Sequence, residues 1–209
     1  HYPLRRQRQM CIRDRYEVAC EVGSIRRFVK EELQRGISLE DIAKKLSEQY
    51  PVDQDTIMLA IREVRESFEK GYSIPDDLTV TIERWKDYII IQCCFGHLVN
   101  RTLARILGYL VSEKIGEAVG VQQDPYRIVL HADHIGLEEV RGLLSSLSSM
   151  NLNEVAVQAL TRTGMFKRRF IQVAKKCGAI AKDADVSGIS LSSIIEGFKG
   201  TVVYEEAVK

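Results

Sequence analysis

Four things are missing from this 209-residue chain, and each removes a class of function. There is no G-x-x-x-x-G-K-[ST] phosphate loop and no acidic set beside one to hold magnesium, so ATP hydrolysis does not reside in this stretch. No apolar run is long enough to span a bilayer and no signal peptide opens the chain, which makes a soluble, intracellular (cytoplasmic) protein the default expectation. The five cysteines form no Cys-x-x-Cys pair, which argues against a structural metal site. Cys93 and Cys94 sit together on a run expected to be buried, as reduced cysteines acting as small hydrophobes do. Finally, no internal repeat and no low-complexity tract appears, and there is a single tryptophan, Trp85.

What remains is a chain long enough for one large domain, or a domain with an appendage. Residues 1–15 carry a net charge of +4 and the other 194 carry −3. An arginine-rich opening invites reading as a nucleic-acid arm. However, the run from Arg5 to Arg15 resembles a translated transposon-based sequencing adaptor. Residues 1–15 are therefore set aside as an expected artefact.

The rest reads as helices around a small sheet. Val18, Val22, Ile25, Val29 and Leu33 recur at helical steps before Gly36. Ser38 and Asp53 are placed to cap two more helices, the second ending near Gly71. These three helices, residues 16–73, suit either a winged-helix-like unit or a packing layer. Ser73–Asp77 is the candidate linker. Leu78, Val80 and Ile82 alternate with polar residues as a half-exposed strand, turned at Trp85–Asp87. Tyr88–Cys94 reads as a strand covered on both faces. From His97 the period becomes helical as far as Gly116, and two short strands then flank Asp124–Pro125. Helices follow over Leu137–Leu147, after a cap at Asn151 or Asn153, over Met165–Ile180, from a cap at Ser190 to Lys199, and from a cap at Thr201. The predicted fold class is α+β: a small antiparallel sheet, four strands, packed with helices and preceded by a helical segment.

The strongest functional signal is Asn151–Lys182, where Arg162, Lys167, Arg168, Arg169, Lys175, Lys176 and Lys182 face only Glu154, a local charge of +6. On a helical wheel Phe166, Phe170, Val173 and Cys177 form a buried stripe, opposite Arg168, Gln172, Lys175 and Lys176. Such a face suits phosphate tracking, since Lys and Arg displace condensed counterions; an ordinary solvated face mixes signs. Arg101 and Arg105, one turn apart, are a weaker pair of the same kind. Trp85 beside Lys86 at a hairpin tip suits either stacking on a base or ordinary packing. His131-Ala-Asp133-His134 groups three potential metal ligands, but a solvated turn is favoured. His97, at a helix start, reads as a surface or capping histidine before an anion ligand. Glu138–Glu139 and Glu205–Glu206 read as solvated helix faces.

Several separated motifs carry a family resemblance: Phe95-Gly96 with Asn100, Val119-Gly120-Val121, Asp124-Pro125-Tyr126-Arg127-Ile128, and Gly200-Thr-Val-Val-Tyr-Glu-Glu-Ala207. Their order resembles the region behind the motor of large helicase-related (Lhr-type) superfamily 2 helicases. The family usually has proline where Val202 stands. The resemblance covers roughly Tyr16–Lys209. It implies that residues 16–73 are the tail of a winged-helix region and 74–209 a helicase-associated domain. It implies RecA-like motor domains elsewhere that use ATP and magnesium, with no cofactor in this stretch. The implied partner is single-stranded DNA or an RNA–DNA hybrid, with 3′-to-5′ translocation in replication or repair. The different-class alternative is a structural or protein-docking module without nucleic-acid contact.

Overall fold

A computed structural model of the chain describes residues 15–184 and 190–208. The reading of residues 1–15 as an artefact falls outside the described residues, except for Arg15, the N-cap of the first helix.

Three helices come first: α1 (Tyr16–Gln34), α2 (Leu39–Gln49) and α3 (Gln54–Glu69). Capping fixes two of their starts, because Ser38 accepts from the Asp41 amide and Asp53 from the Thr56 amide. Val29, Ile42, Leu46, Ile57, Ile61 and Val64 close a first core that also takes in Ile74. Where a strand was expected from Leu78, Asp76 instead folds the chain into a turn. Its carboxylate accepts from the Leu78 amide at 2.9 Å and its own amide donates to the Thr79 carbonyl. The strand consequently starts later, at β1 (Thr81–Trp85), and Lys86 takes a left-handed φ of 52° to turn into β2 (Tyr88–Gln92).

Helix α4 (Gly96–Ile115) crosses the sheet and stops at Gly116, whose φ is 75°. β3 (Gly120–Asp124) and β4 (Arg127–His131) follow, and the order is β1-β2-β4-β3, antiparallel throughout. The main core lies between one face of this sheet and the helices. Ile89, Ile91, Ile128 and Leu130 meet Ala104, Leu107 and Val111 of α4 and Val140 of α5 (Leu137–Ser146). The expectation that β2 is covered on both faces is wrong. Tyr88, Ile90 and Gln92 alternate with the buried Ile89 and Ile91 and are only half-buried. Ile90 shelters between its cross-strand neighbours Glu83 and Val129 and needs no covering layer.

Asn100 explains its place in the motif. Fully buried, it donates to the Asp124 carbonyl at 2.9 Å and accepts from the Cys93 thiol at 3.2 Å. It thereby ties α4 to the β3–β4 turn. Burial pushes the Cys93 thiol up to about 12, as a reduced, inert cysteine requires.

Beyond a 3₁₀ turn at Leu147–Ser149 lie α6 (Leu152–Thr161), α7 (Gly164–Lys176), α8 (Leu191–Gly197) and α9 (Val202–Val208). Phe166, Phe170, Ala174, Ile195 and Ala207 form a separate third core. Among the described residues no helix is long and apolar enough to cross a membrane.

The three-helix segment is fastened to the sheet domain through α1. Arg27 holds Asp77 through two bonds of 2.8 and 3.0 Å, and Lys30 pairs with the buried Asp76. Gly23 lets α1 lie against the chain itself: a β-carbon there would stand 2.6 Å from the Asp77 nitrogen and 3.0 Å from the Cys94 Cβ. Gly96 does the same from the other side, because a side chain there would meet the Arg15–Tyr16 backbone within 2.9–3.0 Å.

Candidate nucleic-acid interface

The basic stretch folds into α7, and the helix sorts its cations into two groups. Arg168, Arg169 and Lys176 are exposed along one side with Gln172, and no ion pair involving them occurs among the described residues. Lys167 and Lys175 are used internally instead. Lys167 Nζ donates to Ser192 Oγ at 2.7 Å, and Lys175 Nζ donates to the Lys182 and Ala184 carbonyls at 3.1 and 2.9 Å. Lys175 is thus a clamp on the loop after the helix, not part of the open cationic face.

The buried stripe also differs from the wheel. It runs Phe166–Phe170–Ala174, Val173 is half-buried and Cys177 is exposed. Gly178 turns left-handed at φ 73° and ends the helix at Lys176, so Cys177 lies past the last packed turn. Arg162 is also committed: it pairs with Glu113 at 2.6 Å and lies 4.8 Å above the Tyr109 ring.

Arg101 is exposed on α4, and Arg105 is half-buried with Nη1 bonded to the Arg101 carbonyl at 3.1 Å. Arg105 opens into a cleft of about 420 Å³, with Tyr109, Arg162 and Gln123 on its walls. A larger groove of about 1080 Å³ runs between α3, β1 and α5 with charges of both signs, among them Arg26, Arg141, Glu63 and Glu138.

Trp85 closes β1, 58% exposed, beneath the Lys86 ammonium 5.0 Å from its ring. Sequence reasoning missed its neighbours. Trp85 faces Tyr88 across β1–β2, and Tyr88 faces His131 across β2–β4. The rings stack at 5.9 and 4.9 Å between centroids. His131 therefore leaves the histidine cluster for the sheet face. Asp133 and His134 remain exposed and are joined by Glu117, the three offering ligand atoms within 4.8 Å of one another. His97 is half-buried at the start of α4.

Residues 74–209 match the family model described as DEAD/H associated. The chain is 26% identical over 170 residues to the ATP-dependent helicase Lhr-Core of Saccharolobus solfataricus, covering 77% of this chain and 19% of that protein. It is 27% identical over 168 residues to the ATP-dependent helicase Lhr-Core protein 2 of Thermococcus barophilus, covering 77% of this chain and 18% of that protein. The chain thus spans less than a fifth of the length of these curated relatives. Among solved structures, the Mycobacterium smegmatis helicase Lhr bound to single-stranded DNA and AMP-PNP matches with a TM-score of 0.57. At 16% identity, covering 93% of this chain and 26% of that one, this likeness concerns the fold.

Proposed function

Because the chain belongs to the DEAD/H-associated family, we propose that it is the nucleic-acid-binding accessory region of an ATP-dependent helicase, lining the path of a single strand. In this reading RecA-like motor domains of the whole protein bind ATP and magnesium, and this region holds the strand they move. The relatives' description as ATP-dependent helicases supports the motor. The single-stranded DNA in the solved relative supports the choice of partner. The observation that carries the reading is the side of α7 bearing Arg168, Arg169 and Lys176. Three cations lie along one helix with no acidic residue in it, while Arg27, Lys30, Arg127 and Arg162 elsewhere are each matched by a carboxylate. Unmatched cations on one line suit phosphates and carry no base preference. Arg101 extends the same chemistry on α4.

The test replaces Arg168, Arg169 and Lys176 with glutamine. Folding should be spared, because each change lies on the surface and costs under about 0.5 kcal/mol. Affinity for a labelled single strand at low ionic strength should fall equally for all sequences. The slope of log affinity against log salt should flatten by roughly 0.7 per lost contact, about 2 in all. Equal affinity and slope for the variant would remove this face and leave a structural or protein-docking module.

A further inference from the structure

The aromatic row on the open face of the sheet has one rung missing. Strand register aligns four positions at one end of the sheet: Trp85 on β1, Tyr88 on β2, His131 on β4 and Gly120 on β3. The first three carry stacked rings, and the fourth carries no side chain. A β-carbon built on Gly120 would lie 3.1 Å from the His131 Cβ and 3.8 Å from its Nδ1. Any larger residue would therefore fill the space beside the imidazole. With glycine there, the imidazole face turned toward β3 has no side chain opposite it, and Gly120 itself is exposed.

This face is turned away from the main core, which the helices close from the other side. Trp85 and His131 are exposed and Tyr88 is half-exposed. The neighbouring polar groups select what can bind. Asp87, Asp133 and Glu117, all exposed, flank this end of the sheet and repel phosphates. Gln122, exposed on the same face as Gly120, offers an amide that can both donate and accept. Lys86 places its ammonium over Trp85, at the end of the row away from Gly120. A flat, uncharged ring with polar edges fits that combination, whereas a backbone phosphate does not.

We propose that an unpaired nucleobase docks in the space above Gly120 and stacks on His131 as the fourth ring of the row. The idea rests on the single-strand reading above and adds a base contact distinct from the phosphate contacts of α7. Stacking of this kind tolerates any base, since each presents a flat π-face.

The two contacts differ in their response to salt. The experiment titrates the chain with a twelve-residue oligothymidylate and with an abasic strand of the same length. Strand anisotropy is read at several salt concentrations. Wild type should bind the abasic strand about tenfold more weakly than the base-bearing one. His131→Ala should lose the same factor on oligothymidylate, with an unchanged salt slope. Gly120→Val, whose β-carbon would press on His131 at 3.1 Å and cover its free face, should reproduce that loss with the imidazole still in the chain, and a melting curve for each variant checks folding. Equal binding of the two strands by wild type, or unaltered affinity in both variants, would overturn the base contact while leaving the phosphate reading intact. If wild type binds neither strand at low salt, the single-strand reading itself fails.

Discussion

Asp76→Ala should lower the unfolding free energy by about 3 kcal/mol, the low end for removing one partner of a buried charge pair. The Asp76 side chain is fully buried, while that of Lys30 retains 23% exposure and can turn toward water when its partner is gone. Alanine also strips the acceptor from the Leu78 amide and unties the turn that starts β1. Asp76→Asn keeps an oxygen for that amide and should cost less; the difference between the two reports the turn. The charge has its own signature. Burial opposes ionisation of Asp76, but the bonds from Lys30, Leu78 and Thr79 outweigh it and hold the carboxyl below its ordinary range. The Arg27 guanidinium does the same to Asp77, and the Lys45 bond to Glu32. A carboxyl depressed in the folded state stabilises fully above its unfolded value of about 3.9 for Asp, and the contribution is lost as pH falls through the folded value. Urea melts from pH 7 downward should therefore show the gap between wild type and Asp76→Asn closing below about pH 4. A gap that stays constant to pH 2.5 or so would mean the pair contributes nothing through its charge.

Phe170→Ala should cost about 3–5 kcal/mol, the usual range for emptying a phenylalanine site in a packed core. Phe170 is fully buried and touches three other rings, those of Phe166, Phe198 and Tyr204, with centroids 5.6–6.5 Å away. The loss should also be local. The core around Phe170 is made by α7, α8 and α9 and shares no buried residue with the core under the sheet. Hydrogen exchange on the variant should accelerate across α7–α9 while β2 and β4 amides keep their protection. Acceleration spread evenly over both regions would show that the two cores melt as one. The experiment also bears on function, because α7 presents Arg168, Arg169 and Lys176 only while Phe166 and Phe170 hold its other side down.

Much of this architecture is legible in the order of residues. Ser38 and Asp53 cap helices where their spacing says they should, and of Asn151 and Asn153 it is Asn151 that caps, whereas Ser190 precedes its helix without a side-chain capping bond. Gly116 and the Asp124–Pro125 pair end and turn the chain as read. The failures have two causes: local stops that the periodicity passes over, at Asp76 and Gly178, and long-range partners that carry no local signal. Lys175 looks like any exposed lysine until the loop through Ala184 closes on it. The stop at Gly178, a few residues before the expected helix end, moves Cys177 from the core to the surface. Tyr88 and His131 give no hint of each other in sequence, because only the β2–β4 register brings them side by side. Trp85 could be flagged alone; the row it belongs to could not. The alternation through β2 and β4 sets Tyr88 and His131 opposite the core, but does not pair them.

The contact at Gly23 and Gly96 has a mechanical consequence. Swinging motions need slack, usually supplied by side chains that can slide past one another. Here the two elements touch with both β-carbons missing, and salt bridges from Arg27 and Lys30 pin the same junction. Helix α1, 19 residues and so about 28 Å long, then behaves as a stiff beam rooted in the sheet domain. A displacement of α1 is therefore passed to the end of β2 and the foot of α4, where the chain has no side chain between to take up the slack.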